Sequence, residues 1–207
     1  MAASRLTRPL DFVHDVLSRR LSPGDFAIDA TAGNGHDTLF LARCVAPQGR
    51  VLAVDVQAQA VESTRARLRE AGLERQVDVV EGSHAELMRL TGPEHHGKVQ
   101  AVMFNLGFLP GSDKDVITQP QSTVAALDAA AGLLAAGGMI SIVVYSGHAG
   151  GAAEAAAVLK WCETREAGQW HVVQYRQLNR PNNPPWAIIA EYIGQGEKAI
   201  GRNKTSE

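Results

Sequence analysis

The sequence predicts an α/β fold built on a doubly wound, mostly parallel sheet of seven strands. Three observations carry this expectation. Short apolar runs alternate with stretches of helical periodicity. The runs lack the in–out alternation of a half-exposed sheet, so both faces should be covered by helices. The last two runs are joined by LNRPNNPP instead of a helical stretch, so the sheet should finish with an antiparallel C-terminal strand.

In chain order, residues 1–22 read as an N-terminal helical extension, because Phe12, Val13, Val16 and Leu17 share a helical face. Residues 25–30 read as a strand after the Pro23-Gly24 turn, and 36–45 as a helix with Leu39, Leu41, Ala42 and Val45 on one side. A strand over 50–56, a helix over 57–71 stopped by Gly72, and a short strand over 77–80 follow. Residues 83–90 give a helical turn or two, 99–105 a strand, and 117–136 a long Ala-rich helix stopped by Gly137-Gly138. A strongly apolar strand over 139–145, an Ala-rich helix over 151–164, and strands over 169–177 and 186–193 complete the sheet, with Trp186 read as core. Residues 194–207 form a polar tail, and the whole of 1–207 reads as a single domain.

Composition narrows the function. Of 207 residues, 45% are hydrophobic and only 5% aromatic, so Ala, Val and Leu must fill the core. Lys plus Arg count 20 against 22 for Asp plus Glu, a net charge of -2, which excludes coating nucleic acid by bulk charge. A local phosphate-binding patch remains open, because Arg outnumbers Lys 15 to 5. No run approaches the roughly 18 apolar residues of a membrane span. No signal-peptide core opens the chain, and Cys44 and Cys162 stand far apart, as free thiols of a cytoplasmic protein would. His95-His96 falls in a polar loop and reads as solvated, and none of the histidines or cysteines has metal-ligand spacing.

The first strand runs into Asp29-Ala30-Thr31-Ala32-Gly33-Asn34-Gly35-His36-Asp37-Thr38. Gly33 and Gly35 allow a tight turn and close approach of a ligand between strand and helix. A dinucleotide fingerprint would have a third Gly where Thr38 stands. Asp55 ends the second strand twenty residues after Gly35, where a carboxylate can accept both hydroxyls of a ribose. The pair selects a nucleoside cofactor without choosing between NAD and S-adenosyl-L-methionine (SAM). Ser83 and His84 follow the third strand, on the side where an adenine would lie.

The fourth strand ends in Asn105-Leu106-Gly107-Phe108, which resembles the (Asn/Asp/Ser)-Pro-Pro-(Tyr/Phe) motif of amino-directed methyltransferases. In that motif an Asn oxygen and a backbone carbonyl accept the N–H groups of an amine. The nitrogen lone pair is thereby aimed at a methyl sulfonium for in-line displacement. Here Asn105 and the carbonyl of Leu106 would be the acceptors and Phe108 the stacking platform, with Leu106-Gly107 replacing Pro-Pro.

Taken together, DATAGNGHDT, GSHAEL, NLGFLPGSDK, VVYSGHAGG and NRPNNPP resemble, in order and over roughly residues 10–193, the tRNA wobble-uridine 5-aminomethyl methyltransferases, long labelled rRNA methylases. The resemblance implies a class I, Rossmann-like SAM-dependent methyltransferase. Its substrate would be the 5-aminomethyl group of the wobble uridine, often the 2-thio form, presented in a tRNA anticodon loop. Motif by motif, it places Asp29, Gly33, Asn34, Gly35, Asp37, Thr38, Asp55, Ser83, His84 and Asn105 around the cofactor. Asn105, Leu106 and Phe108 would face methyl transfer. Gly111, Ser112, Asp113, Lys114, Tyr145, His148, Asn182 and Asn183 would lie on the substrate side, with Pro184 shaping the last of these loops. Arg8, Arg19, Arg20, Arg176 and Arg180 are candidates for phosphate contacts beside the Asn105 crevice. Dimerisation is an expectation from the family alone.

A uridine C5 methylase would typically use a cysteine nucleophile, and both cysteines are predicted inside helices away from the strand ends. Other readings stay open beside the tRNA one. They are methylation of another RNA site such as rRNA, of a small-molecule amine or of a protein amine. An NAD-dependent dehydrogenase and a non-catalytic binding module also remain, although Thr38 and the terminal strand pair count against the dehydrogenase.

Overall fold

The computed structural model describes residues 6–107, 120–147, 150–180 and 182–194. Among them, strands β1 (Phe26–Asp29), β2 (Arg50–Asp55), β3 (Val77–Glu81), β4 (Val99–Leu106), β5 (Leu134–Val144), β6 (Trp170–Tyr175) and β7 (Trp186–Tyr192) form one sheet in the order β3-β2-β1-β4-β5-β7-β6. β7 runs antiparallel to both its neighbours, and every other pairing is parallel. The doubly wound, seven-stranded sheet with an antiparallel C-terminal strand is therefore as expected.

Helices cover both faces. On one side lie α1 (Pro9–Arg20), α2 (His36–Val45) and α3 (Ala58–Ala71), packed through Val13, Leu17, Leu41, Ala42, Val45 and Leu68. On the other lie α4 (Leu87–Thr91), α5 (Pro120–Leu133) and α6 (Gly151–Glu163), packed through Leu87, Leu127, Leu133, Val158 and Trp161. Aliphatic residues dominate both clusters, as the low aromatic fraction demands. Each large aliphatic buried here contributes about 1.5–3 kcal/mol by leaving water. No helix of the described residues is long and apolar enough to cross a membrane.

One boundary differs from the sequence reading. The Ala-rich stretch expected to be helical through residue 136 leaves the helix at Leu133, and Leu134 already pairs with Val99. The register then slips, so that Ala101 faces Met139. Gly137 absorbs the slip at φ +76°, and a Cβ on Gly138 would lie 2.8 Å from the Val99 carbonyl. Helix propensity loses to strand pairing because β4 needs a full-length partner.

The order of the strands fixes where a ligand can sit. From β1 the chain winds outward to β2 and β3, and from β4 outward to β5, so the crossover helices part between β1 and β4. A crevice opens there beyond the carboxyl ends of the strands. Asp29, Asp55 and Asn105 lie at or near those ends, and Tyr145 follows the end of β5. Because Val144 pairs with Trp186, the loop before β7 reaches the same edge.

α1 is an integral part of the α2–α3 face, with Val13 and Leu17 fully buried. Leu17→Ala should lower stability by about 2–5 kcal/mol, measured as a shift of the urea midpoint at unchanged m-value.

Candidate active site

The turn after β1 is shaped by two glycines in left-handed conformation, Gly33 at φ +53° and Gly35 at φ +76°. A Cβ on Gly35 would lie 2.8 Å from the Thr64 backbone, so α2 begins hard against α3. Gly35 caps α2 without a side-chain hydrogen bond, which leaves N–H groups of the first turn for a ligand. Asn34 follows the same turn, and its carbonyl accepts from Arg67 Nε at 2.6 Å.

Carboxylates organise the crevice. Asp29 is fully buried, and its oxygens accept from the Thr31 N–H at 3.1 Å and the Thr38 hydroxyl at 2.6 Å. Burial pushes its pKa up to about 7, with the charge of Asp37 adding to the shift. Asp55 accepts from the Gly33 N–H and the Gln57 N–H, both at 2.9 Å. A carboxylate has about four lone-pair sites, so these two bonds leave room for hydroxyl donors.

Asp37, in the first turn of α2, joins two parts of the fold. One oxygen lies 2.8 Å from His14 Nε2 on α1 and the other accepts from Asn105 Nδ2 on β4 at 3.1 Å. The Asn105 backbone N–H donates to the Thr31 hydroxyl at 2.8 Å. His14 and Thr31 were not singled out by the sequence. Thr31 lies inside the glycine motif, whereas His14 carries no local signal beyond a polar position on an amphipathic helix.

Leu106 buries its side chain, and its carbonyl accepts from the Tyr145 N–H at 3.2 Å, leaving one lone pair. Tyr145 is half-buried, and burial raises the pKa of its hydroxyl, with Asp37 adding to the effect. Its ring lies along Gly107, where an added Cβ would come within 2.9 Å. Ser83 caps the turn after β3 by accepting from the Ala85 N–H at 3.2 Å. His84 is buried with its ring edge-on to Phe104 at 6.1 Å, and burial lowers its pKa.

Asn182 and Asn183 are exposed in the loop before β7, Asn183 at φ +41°, and Trp186 is buried as expected. Phe108, Gly111, Ser112, Asp113, Lys114 and His148 fall outside the described residues.

Two expectations need correction. The arginines do not form a single patch beside Asn105. Arg20 bonds the Gly137 carbonyl and Gln100 at the starts of β5 and β4, on the opposite edge of the sheet. Arg19 next to it pairs with Asp15. Arg50, Arg65, Arg89 and Arg165 each pair with an acid elsewhere. Arg8, which pairs with Asp11, and Arg176 and Arg180, which follow β6, belong to the crevice edge. His95 is not simply solvated, because its ring packs on Phe26 at 4.4 Å.

Neither thiol serves this crevice. Cys44 lies in α2 and Cys162 in α6, and both are free. Burial raises both pKa values, that of Cys162 to about 12. Thiols held protonated in this way are poor nucleophiles.

Comparison with known proteins gives consistent matches. The model of the family described as "Putative rRNA methylase" matches residues 51–191. A model of protein-L-isoaspartate O-methyltransferases matches residues 9–86, a stretch that holds Asp29, the glycine turn and Asp55 but not Asn105. A chloroplastic tRNA (mnm(5)s(2)U34)-methyltransferase of Arabidopsis thaliana is 37% identical over 182 residues. That alignment spans 84% of this chain and 66% of the relative's length. A solved Clostridium thermocellum structure described as a "putative rRNA-methylase" superposes with a TM-score of 0.87 at 34% identity, covering 92% of this chain and 100% of that one. A Streptococcus mutans methyltransferase in complex with SAH superposes with a TM-score of 0.81 at 35% identity, covering 90% and 99%.

The buried carboxyl makes a thermodynamic prediction. An unfolded Asp releases its proton near pH 4, about three units earlier than native Asp29. Between those values the native state binds more protons, so this group's contribution to stability is lost as pH rises through that window. Asp29→Asn should flatten the fall, read as urea midpoints of both proteins across the window.

Proposed function

The chain belongs to the putative rRNA methylase family, and on that premise we propose that it transfers a methyl group from SAM to the 5-aminomethyl group of the tRNA wobble uridine. The form acted on includes the 2-thio nucleoside, and the product is the 5-methylaminomethyl nucleoside. The observation that carries the reading is the Asn105 amide. It stands at the switch point of the sheet with its nitrogen bonded to Asp37, which leaves Oδ1 as an acceptor for an amine.

The crevice fits SAM. The left-handed Gly33–Gly35 turn has no Cβ to obstruct a ligand, the first turn of α2 has unused N–H groups, and Asp55 retains acceptor sites for ribose hydroxyls. Asp29 and Thr38 hold the turn in place from beneath. Ser83 and His84 would border the adenine side, His84 through a neutral ring. Bound there, SAM supplies a methyl group already activated as a sulfonium.

The protein's own task is positioning. Asn105 Oδ1 and the free lone pair of the Leu106 carbonyl accept two N–H groups of the neutral amine, which orients the nitrogen lone pair. The half-buried Tyr145 offers a face to the base, and Phe108 would be the stacking platform. The loop from Gly111 through Ser112 and Asp113 to Lys114, together with His148, Asn182 and Asn183, would complete the substrate side. The amine nitrogen gains carbon and gives up a proton to solvent, so no cysteine or metal is needed.

Phosphate contacts in the anticodon loop would fall to Arg8, Arg176 and Arg180. The spread of the other arginines favours a second reading, in which the same crevice methylates another RNA site, a small-molecule amine or a protein amine. A cytoplasmic location and a homodimer complete the proposal. Val173, 55% exposed on the edge strand β6, is apolar surface that a second copy would cover.

Nucleoside mass spectrometry of tRNA from a deletion strain should show the 5-aminomethyl precursor accumulating. An unchanged nucleoside would sink the substrate assignment and leave the second reading. In vitro, Asn105→Ala should keep SAM affinity and lose about 100-fold or more in methylation rate. Unchanged methylation would remove Asn105 from its assigned role.

A further inference from the structure

An Asn side chain can serve an amine only if its oxygen, and not its NH2, faces the substrate. The two orientations differ by a half-turn about one soft torsion and have nearly the same shape. Something must choose between them. In this fold the choice comes from a residue 68 positions away and is reinforced from the N-terminal helix.

A carboxylate accepts hydrogen bonds and does not donate them. With one oxygen of Asp37 at 3.1 Å from the Asn105 amide nitrogen, a flipped amide would set oxygen against oxygen. The flipped state is therefore excluded while Asp37 is ionised. Asp37 is held in turn. Its other oxygen meets His14 Nε2 at 2.8 Å, which requires the proton on that nitrogen. The His14 ring lies flat on Phe40 with centroids 3.9 Å apart and planes 7° from parallel. Val13 and Leu17, fully buried, fix the helix that carries it. The Asn105 backbone is separately pinned by the Thr31 hydroxyl and by pairing with Val143.

We propose that His14 and Asp37 are positioning residues for methyl transfer: the chain His14–Asp37–Asn105 locks the amide so that Oδ1 meets the substrate amine. The proposal rests on the amine-methylation reading and gives α1 a part in it. Neither residue touches the reacting atoms. Each acts through the orientation of the amide.

Two substitutions at His14 separate hydrogen bonding from packing. His14→Phe keeps a ring on Phe40 and removes the donor. His14→Gln keeps an N–H donor and removes the ring. Asp37→Asn replaces a pure acceptor by a group that can face Asn105 either way. Three quantities are read for each full-length protein: kcat on tRNA carrying the 5-aminomethyl nucleoside, the SAM dissociation constant, and the side-chain amide 1H–15N resonances of Asn105, assigned with Asn105→Ala.

His14→Phe should lose roughly 10- to 100-fold in kcat with SAM affinity retained, since misorientation of a positioning group acts on the chemical step, and Asp37→Asn, at a residue expected to border the cofactor, should lose at least as much in kcat. His14→Gln should recover most of the rate. The Asn105 amide resonances should move in the Phe and Asn variants and stay near their wild-type places in the Gln variant. Full activity of His14→Phe, or rescue by Phe but not by Gln, would overturn the proposal, the second outcome reducing His14 to a packing residue. Amide resonances unmoved in both His14→Phe and Asp37→Asn would overturn it as well. A wild-type protein that binds SAM but leaves this tRNA unmethylated would instead overturn the substrate assignment, and the amide resonances would still decide whether the hydrogen-bond chain exists.

Discussion

Asp29 lies fully buried at the end of the central strand, its two oxygens taken by the Thr31 N–H and the Thr38 hydroxyl. A carboxyl group removed from water is tolerated only where such partners replace the solvent. Those bonds tie three pieces together: the strand that supplies the acid, the loop that supplies the N–H, and the helix that supplies the hydroxyl. The glycine turn between them has no freedom to drift. Asp37 nearby, whose charge adds to the upward shift of Asp29, is met by His14 Nε2 and by the amide of Asn105. The loop that carries Thr31, the partner of the Asn105 backbone, is thus anchored on a desolvated acid.

The architecture divides the labour along the sheet. The β1–β3 half carries the features shared with an O-methyltransferase family, whose model matches residues 9–86. The β4–β7 half carries Asn105 and Leu106, with Tyr145 just past β5, the groups that would face the acceptor amine under the proposed function. Asp37 and Thr31 cross that division by bonding to Asn105, so the position of the amide is referenced to the cofactor half and not only to its own strand. This suits a displacement in which donor and acceptor must meet in line, where an error of about 1 Å in their relative placement costs about 100-fold in rate.

What the sequence made legible was local. Gly33 and Gly35 between a strand and a helix, Asp55 closing the next strand, and Asn105 closing the fourth are patterns within a few residues, and each stands at the predicted strand end. What stayed illegible depended on contacts between distant segments. His14 reads as the polar edge of an amphipathic helix until α1 packs against α2. Arg20 reads as a candidate phosphate contact until the carbonyl of Gly137 is seen to accept from it. Residues 134–136 read as helix from their alanines, because nothing in the segment reveals that β4 needs pairing along its whole length. The glycines at 137 and 138 read as a helix stop, whereas the helix already ends at Leu133 and both glycines lie within β5, in the register slip between Leu134 and Met139.

Gly107 bears on how this loop can change. The amino-directed motif with two prolines after its Asn stiffens the backbone with pyrrolidine rings, whereas here Tyr145 lies where any side chain at 107 would go. Stiffness is supplied from outside, by a ring just past the end of the neighbouring strand. A side chain at 107 would meet the ring of Tyr145 where it now stands, so the two positions are coupled. The two loops are alternative solutions separated by a coupled change. Exchange at 107 alone should be tolerated only in chains that have already given up the aromatic at 145.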